Sequence, residues 1–329
     1  MSKVTAEQAG AWEDIVTRKY ADQAIWFLNG FWEEVKGDAE NFWMYAELFA
    51  ELDEAKKADG NELDEFWSHK FLERIGKTMT VIKMREEFRT IDVDFNKKMS
   101  MTEFLGYTYH KTIQQIIDAP QGNNQELIDA AQAQVDAAQA AVDEMVAKLE
   151  VATQKANEAK AASDAAEAAA APYRKAVAEN EAALAELQAQ EKAFADKKEA
   201  LEKTKNDMSI GVVKRNKAAN ELDQLLAEDP LPLQRAKINQ GATVRKMEKA
   251  AKPFNEASAK AKAAAEAAAA AKAEAEAAVA EAEGKLQAAM DALAEAKKAG
   301  GVACGSIWWM ERQIEEKKKY MPGYKGPRK

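Results

Sequence analysis

From Ile128 onward, small and apolar residues recur at alternating steps of three and four: Ala131, Val135, Ala138, Val142, Met145, Leu149, Ala152, Ala156 and Ala159. The same phase continues through Ser163, Ala166, Ala170, Tyr173, Val177, Asn180, Leu184, Leu187, Glu191, Phe194, Lys198 and Leu201. A heptad held this long predicts a left-handed coiled coil. Pro172 leaves the phase intact, so a local kink and not a helix end is expected there. A second run starts at Val244 and passes through Met247, Ala251, Phe254, Ser258, Ala261, Ala265, Ala268, Lys272, Ala275, Val279, Ala282, Leu286, Ala289, Leu293 and Ala296. Between the runs, residues 210–240 hold Gly211, a Leu222/Leu225/Leu226 pattern and the breaker Asp229-Pro230-Leu231-Pro232. Two long heptad helices joined by such a connector fold back as an antiparallel hairpin, with the bend near 205–243. The hairpin predicts a monomer. The alternative is one extended helix that dimerises through the rod.

Composition divides the chain at the same places. The seven tryptophans are Trp12, Trp26, Trp32, Trp43 and Trp67 near the start, then Trp308 and Trp309 near the end. Residues 121–300 contain 58 alanines, which bring helices close but bury little area each. Residues 1–120 carry a net charge of −8, 121–300 of −5 and 301–329 of +4. The expected fold is all-α: a globule over 1–120, an alanine-rich coiled-coil rod over 124–299, and a basic aromatic helix and tail over 302–329. Pro120-Gln121-Gly122-Asn123-Asn124 marks the first break and Gly300-Gly301 the second. A hairpin rod returns the tail to its own base, where Trp308 and Trp309 are placed to dock on the globule.

One segment of the globule carries recognisable chemistry. Residues 92–103 place Asp92, Asp94 and Asn96 at positions 1, 3 and 5 of a twelve-residue loop, with Ser100 at 9 and Glu103 at 12. Calcium takes six to eight hard oxygens, and this spacing supplies them, with the Lys98 carbonyl at position 7. Met99 at position 8 is apolar, as where two such loops pair, and Met84, Phe88, Ile91, Phe104 and Tyr107 flank the loop with helical periodicity. Lys97 stands where the EF-hand pattern has glycine. A left-handed lysine costs about 1–2 kcal/mol, which predicts weakened affinity. EF-hands come in pairs, and the stretch from Asp53 to Trp67 is the expected partner: it lacks a full ligand register but offers Leu63 to pair with Met99. A loop kept only as a fold element is the alternative reading.

Little else suggests chemistry. One cysteine, Cys304, excludes an intramolecular disulfide framework, and two histidines, His69 and His110, read as packing or surface residues. No nucleophile–base pair or phosphate-cradling glycine loop is present, so no enzyme is expected. Net charge −9 argues against nucleic acid. No apolar stretch is long enough for a membrane span, and the start lacks an apolar signal core, so a cytoplasmic, cytoskeletal location is expected.

Three stretches resemble the small calcium-regulated actin-bundling proteins of protists: QAIWFLNGFWEEV (23–35), the loop at 92–103, and IWWMERQIEEKKKY (307–320). A weaker match runs from Gly211-Val212-Val213-Lys214 through Asn220-Glu221-Leu222 to Pro232-Leu233. The resemblance implies an N-terminal EF-hand domain, a helical coiled coil, calcium as the bound ion, and F-actin as a partner whose cross-linking calcium weakens. Actin filaments are acidic, so basic clusters are candidate contacts. One comprises Lys214, Arg215, Lys217, Arg235, Lys237, Arg245 and Lys246 at the bend. The other lies in the tail: Trp308, Trp309, Arg312, Lys317, Lys318 and Lys319, with Lys325, Arg328 and Lys329 beyond. Two such patches on one chain would let a monomer bridge two filaments. The alternatives are a calcium sensor acting on another cytoskeletal or flagellar partner, and a structural spacer with an inert EF-hand.

Overall fold

A computed structural model describes residues 8–77, 80–227, 230–299 and 303–324, with only the backbone of Val81 and Met84. The Gly300-Gly301 break, Asp229 of the breaker, the Met84 side chain and the tail cations Lys325, Arg328 and Lys329 lie outside these described residues. Among the described residues the structure is all-α apart from one two-stranded ribbon. It forms two compact units: Met1–Val146 with Ala277–Lys329, and Ala147–Glu276.

In the first unit, α1 (Ala9–Val16), α2 (Tyr20–Val35) and α3 (Ala39–Leu52) lead to β1 (Glu62–Asp64) and α4 (Glu65–Arg74). Then come α5 (Val81–Ile91), β2 (Lys98–Ser100), α6 (Met101–Thr108) and α7 (Ile113–Ile117). Two helix–loop–helix pairs, α3/α4 and α5/α6, are joined by antiparallel β1 and β2, with Leu63 opposite Met99 as their apolar character predicts. Side chains cap the helices that follow the strands: Asp64 accepts from Trp67 N, and Ser100 with Glu103 forms a capping box. The aromatic-rich sequence of α2 and α3 fills the core. Phe27, Phe42, Phe49, Phe71 and Phe104 are almost wholly buried, and the Phe49 and Phe71 rings lie 4.4 Å apart.

The same unit contains the first part of α8 (Gln125–Asn206), the last part of α10 (Leu231–Lys298), and α11 (Cys304–Lys318). Within it the expected seam holds except at Val279, where Ala278 is the buried residue: Ile128, Ala131, Val135, Ala138, Val142 and Met145 are buried, as are Ala282, Leu286, Ala289, Leu293 and Ala296.

The second unit comprises the remainder of α8 and α10 with α9 (Val212–Ala227). Antiparallel pairing is fixed by contacts that rise along α8 as they fall along α10. Tyr173 stacks on Phe254 with centroids 5.0 Å apart, Thr243 Oγ1 donates to Asn180 Oδ1 at 3.2 Å, and Lys246 pairs with Glu179. The helix continues through Pro172 without ending, as does α10 through Pro253.

Two expectations need correction here. Ala156, Ser163, Leu184 and Glu191 are exposed, and their predecessors Lys155, Ala162, Ala183 and Gln190 face inward. The same displacement occurs in α10, where Ala257, Ala264 and Ala271 replace Ser258, Ala265 and Lys272. At these places one seam position is shifted by a residue, while Ala170 and the other position, Tyr173–Asn180–Leu187–Phe194, stay. In the connector the Leu222/Leu225/Leu226 pattern is helical as its spacing indicates, but the return helix starts earlier than the run from Val244. Residues 212–227 are helical and α10 begins at Leu231, thirteen residues before Val244. Pro232 sits in the first turn of α10, where its missing N–H has no helical partner to lose.

Candidate functional site

Asp92 is the C-cap of α5 and Glu103 lies in the first turn of α6, so the loop between them is held at both ends by helices. Its backbone turns inward on its own side chains. Lys97 N donates to Asp92 Oδ2 at 3.0 Å, Asn96 N to Asp94 Oδ1 at 3.0 Å, and Lys98 N to Asn96 Oδ1 at 2.7 Å. Lys97 has φ +62°, the left-handed conformation that the loop position demands of a residue ill suited to it. Phe95 also has positive φ, at +65°, and is 60% exposed.

Carboxylate oxygens of Asp92, Asp94 and Glu103 lie within 4.8 Å of one another. Calcium–oxygen bonds of about 2.3–2.6 Å separate opposing ligands by roughly that span. Asp92 is 6% exposed, and its Oδ1 is buried without a hydrogen-bond partner. An unpaired buried carboxylate oxygen is costly unless a cation or a proton satisfies it. Glu103 is 1% exposed; its Oε1 accepts from Val93 N at 3.0 Å and its Oε2 from Ser100 N at 2.9 Å. Burial, reinforced by the nearby Asp94 charge, pushes the Glu103 carboxyl up to about 8 against the opposing pull of those donors. Burial likewise raises Asp94, helped by the charges of Asp92 and Glu62. This donor set fits a hard divalent cation. Asp92, Asp94, Asn96, Ser100 and Glu103 offer side-chain oxygens, and Lys98 lies on β2 with its carbonyl at position 7.

The partner loop is built differently. Asp53 Oδ1 accepts from Ala55 N and Lys56 N at 3.2 and 2.9 Å, and its Oδ2 accepts from the Tyr20 hydroxyl at 2.9 Å. Lys56 Nζ reaches Asn61 Oδ1 at 3.2 Å. By cap geometry Trp67 stands where the second loop has Glu103. Among the described residues no second group of three such ligands occurs.

Helix α11 is docked on α2. Asn29 holds Ser306 through Ser306 N to Asn29 Oδ1 at 2.8 Å and Asn29 Nδ2 to Ser306 Oγ at 3.0 Å. Trp309 is 4% exposed, with its ring 4.7 Å from Trp43, while Trp308 is half-buried beside it. Arg312 lies over the Trp43 ring at 4.9 Å and pairs with Glu40 and Glu316. Lys317 pairs with Asp143, Lys318 with Glu315, and Lys319 with Glu316. The tail cluster is therefore largely engaged within its own unit, and Trp309 is core.

In the second unit, Lys214, Lys217, Arg235, Lys237, Arg245 and Lys246 are exposed. Arg215 is half-buried, with Nη1 2.9 Å from Met208 Sδ. Exposed apolar side chains accompany them: Met208, Val213 and Ile238 are 83%, 82% and 73% exposed. Charge singled out the cations in the sequence but gave no sign of this apolar company. The roles of two further residues carry no mark in the sequence. Gln23 is fully buried and touches α6 through Thr102, and Glu62 reaches from β1 to Asn96. Each acts across many residues of sequence, so no local spacing marks it.

A protein-family model described as F actin bundling C terminal matches residues 141–282. The match falls on the alanine-rich helices and the connector, and 23–35, 92–103 and 307–320 lie outside it. Among solved structures, the crystal structure of a 34 kDa F-actin bundling protein from Dictyostelium discoideum is similar over 98% of this chain and 100% of that one, with 20% identity and a TM-score of 0.48. No curated protein sequence matches.

Proposed function

We propose that this chain binds and cross-links actin filaments in the cytoplasm, and that calcium at residues 92–103 weakens the cross-linking. The observation that carries the actin part is the family match over 141–282, which contains the exposed cations and apolar side chains of the connector. The calcium part is supported by the unpaired, buried Asp92 Oδ1 beside Asp94 and Glu103. No described helix is long and apolar enough to cross a membrane.

A cross-linker needs two filament contacts. The connector cations of the second unit form the stronger candidate, because most are exposed and the partner is acidic. The tail cations are the second, in competition with their internal carboxylate partners. A divalent ion would supply charge neutralisation and a fixed geometry to the loop. The chain's own residues would carry the consequence. Glu103 would exchange its donors Val93 N and Ser100 N for the ion, which draws on the start of α6. Thr102, its neighbour, is bound to Gln23 of α2, and α2 carries α11 through Asn29. In this reading the ion changes the seat of α11 and with it the filament affinity.

Pelleting with F-actin tests both parts. High-speed pelleting reports binding and low-speed pelleting reports cross-linking, each with and without calcium. Cross-linking reduced by calcium is expected. Glu103→Gln should remove the calcium effect and leave calcium-free cross-linking intact. No pelleting in either condition would sink the actin reading, and pelleting indifferent to calcium would sink the switch.

A further inference from the structure

The first loop is unsuited to an ion, yet its strand ends beside the second. Glu62 on β1 lies opposite Ser100 on β2. Asn96 Nδ2 donates to Glu62 Oε1 at 2.9 Å, and Lys98 Nζ reaches Glu62 Oε2 at 3.0 Å. The Glu62 side chain is only 12% exposed, so these contacts are sheltered. We propose that Glu62 is a positioning residue for the ion loop, holding the Asn96 amide in the one orientation that offers an oxygen to the cation. This rests on the calcium reading above and adds a residue from outside the loop.

An amide side chain is nearly symmetric in shape but not in chemistry: one end accepts and the other donates. Rotated by half a turn, Asn96 would turn an NH₂ group toward the cation, and position 5 would repel where it should bind. A carboxylate only accepts, so Glu62 favours the orientation with Nδ2 toward itself. Asp94 Oδ2, 3.2 Å from the same nitrogen, agrees with it. Oδ1 is then left on the loop side, where Lys98 N donates to it at 2.7 Å. The second oxygen of Glu62 engages the Lys98 ammonium, which would otherwise stand free beside the acidic loop. Outer partners of this kind orient the groups that touch a metal.

The test is a cycle of calcium affinities measured by calorimetry on the full chain. Glu62→Ala is expected to weaken calcium binding about tenfold, the lower end of the range for outer partners. Glu62→Gln keeps an acceptor without the charge and should lose less. Asn96→Asp removes the donor, so Glu62 then faces a carboxylate. In that background Glu62→Ala should strengthen binding or leave it unchanged. A residue that only added charge or held the fold would weaken binding in both backgrounds, and that result would overturn the proposal, as would wild-type affinity in Glu62→Ala. Thermal melts of Glu62→Gln keep the comparison to folded protein. If the wild-type chain binds no calcium, the calcium reading fails and this inference with it. If the wild type binds and the cycle shows no coupling, only this inference falls.

Discussion

Substituting Gly305 by alanine sets two well-measured effects against each other. Gly305 is the second residue of α11, and alanine there improves helix propensity by at most about 1 kcal/mol, less at a first turn. A Cβ at that position would stand 2.5 Å from Leu28 Cβ and 2.6 Å from Asn29 N. The second neighbour is backbone of α2, which cannot rotate away. Helix α11 must therefore retreat, which strains the Asn29–Ser306 hydrogen bonds and the packing of Ile307 and Trp309 behind them. Overpacking of this kind costs about 1–3 kcal/mol, and a weakened hydrogen bond adds about 1 kcal/mol. Loss outweighs gain by about 1–3 kcal/mol, which for a unit of this size lowers Tm by on the order of 5 °C. Gly284→Ala is the control: it is exposed in α10 with nothing within 4 Å of a new Cβ, so propensity acts alone and Tm should rise by a few degrees. Thermal melts followed by tryptophan fluorescence and by circular dichroism separate the two. A Gly305→Ala protein that melts at or above wild type would refute the close packing of α11 on α2.

Other outcomes follow from the same structure. Glu103 sits at about 8 when an ordinary glutamate sits at 4.5, so between those values the folded, calcium-free chain holds a proton that the unfolded chain has lost. That group's effect on stability therefore falls as pH rises through this window, and calcium binding below pH 8 must expel the proton. Calorimetry in two buffers of different ionisation enthalpy should show about one proton released per ion at pH 6–7 and none near pH 9; identical heats in both buffers at pH 6 would contradict it. In the rod, Ala183→Leu should cost about 1–3 kcal/mol by overfilling the seam, whereas Leu184→Lys should change stability by less than about 0.5 kcal/mol. The opposite order in denaturant titrations would restore the original heptad assignment.

The heptad was legible because its period is a property of the helix itself, and the seam positions Tyr173, Asn180, Leu187 and Phe194 stand where the spacing places them. The alternate position was not. With Ala162 beside Ser163, or Ala264 beside Ala265, steps of three and four are equally good in sequence, and side-chain size does not choose between them. Leu184 then shows the limit of reading an apolar residue as inward. It is 41% exposed because the neighbouring Ala183 lets the helices approach more closely. Pro230 and Pro232 signalled a break correctly, but a proline in a first turn is compatible with helix on its C-terminal side, and α10 starts there. The conformation of the loop at 92–103 was legible because its side chains accept from nearby backbone N–H groups, down to the left-handed Lys97.

What joins these parts is α2, and the reason is a buried amide. Gln23 is fully buried, yet its Nε2 lies 3.0 Å from Val16 O, 2.7 Å from Arg18 O and 2.9 Å from Asn61 O. Its Oε1 accepts from Thr102 N at 2.9 Å and Thr102 Oγ1 at 3.0 Å. One side chain thus ties the entry of α2, the partner loop and the first turn of α6 together. Stranding such a group without partners costs about 1–3 kcal/mol, comparable to the coupling energies by which one site commonly influences another. An adjustment of α6 at Glu103 that broke these bonds would spend its driving force on an unsatisfied amide. On the calcium reading proposed above, the cheaper path would carry α2 along, and with it Asn29 and the docked α11. The aromatic stretch at 23–35 therefore does more than fill a core: its polar positions, Gln23 and Asn29, connect the start of α6 to α11.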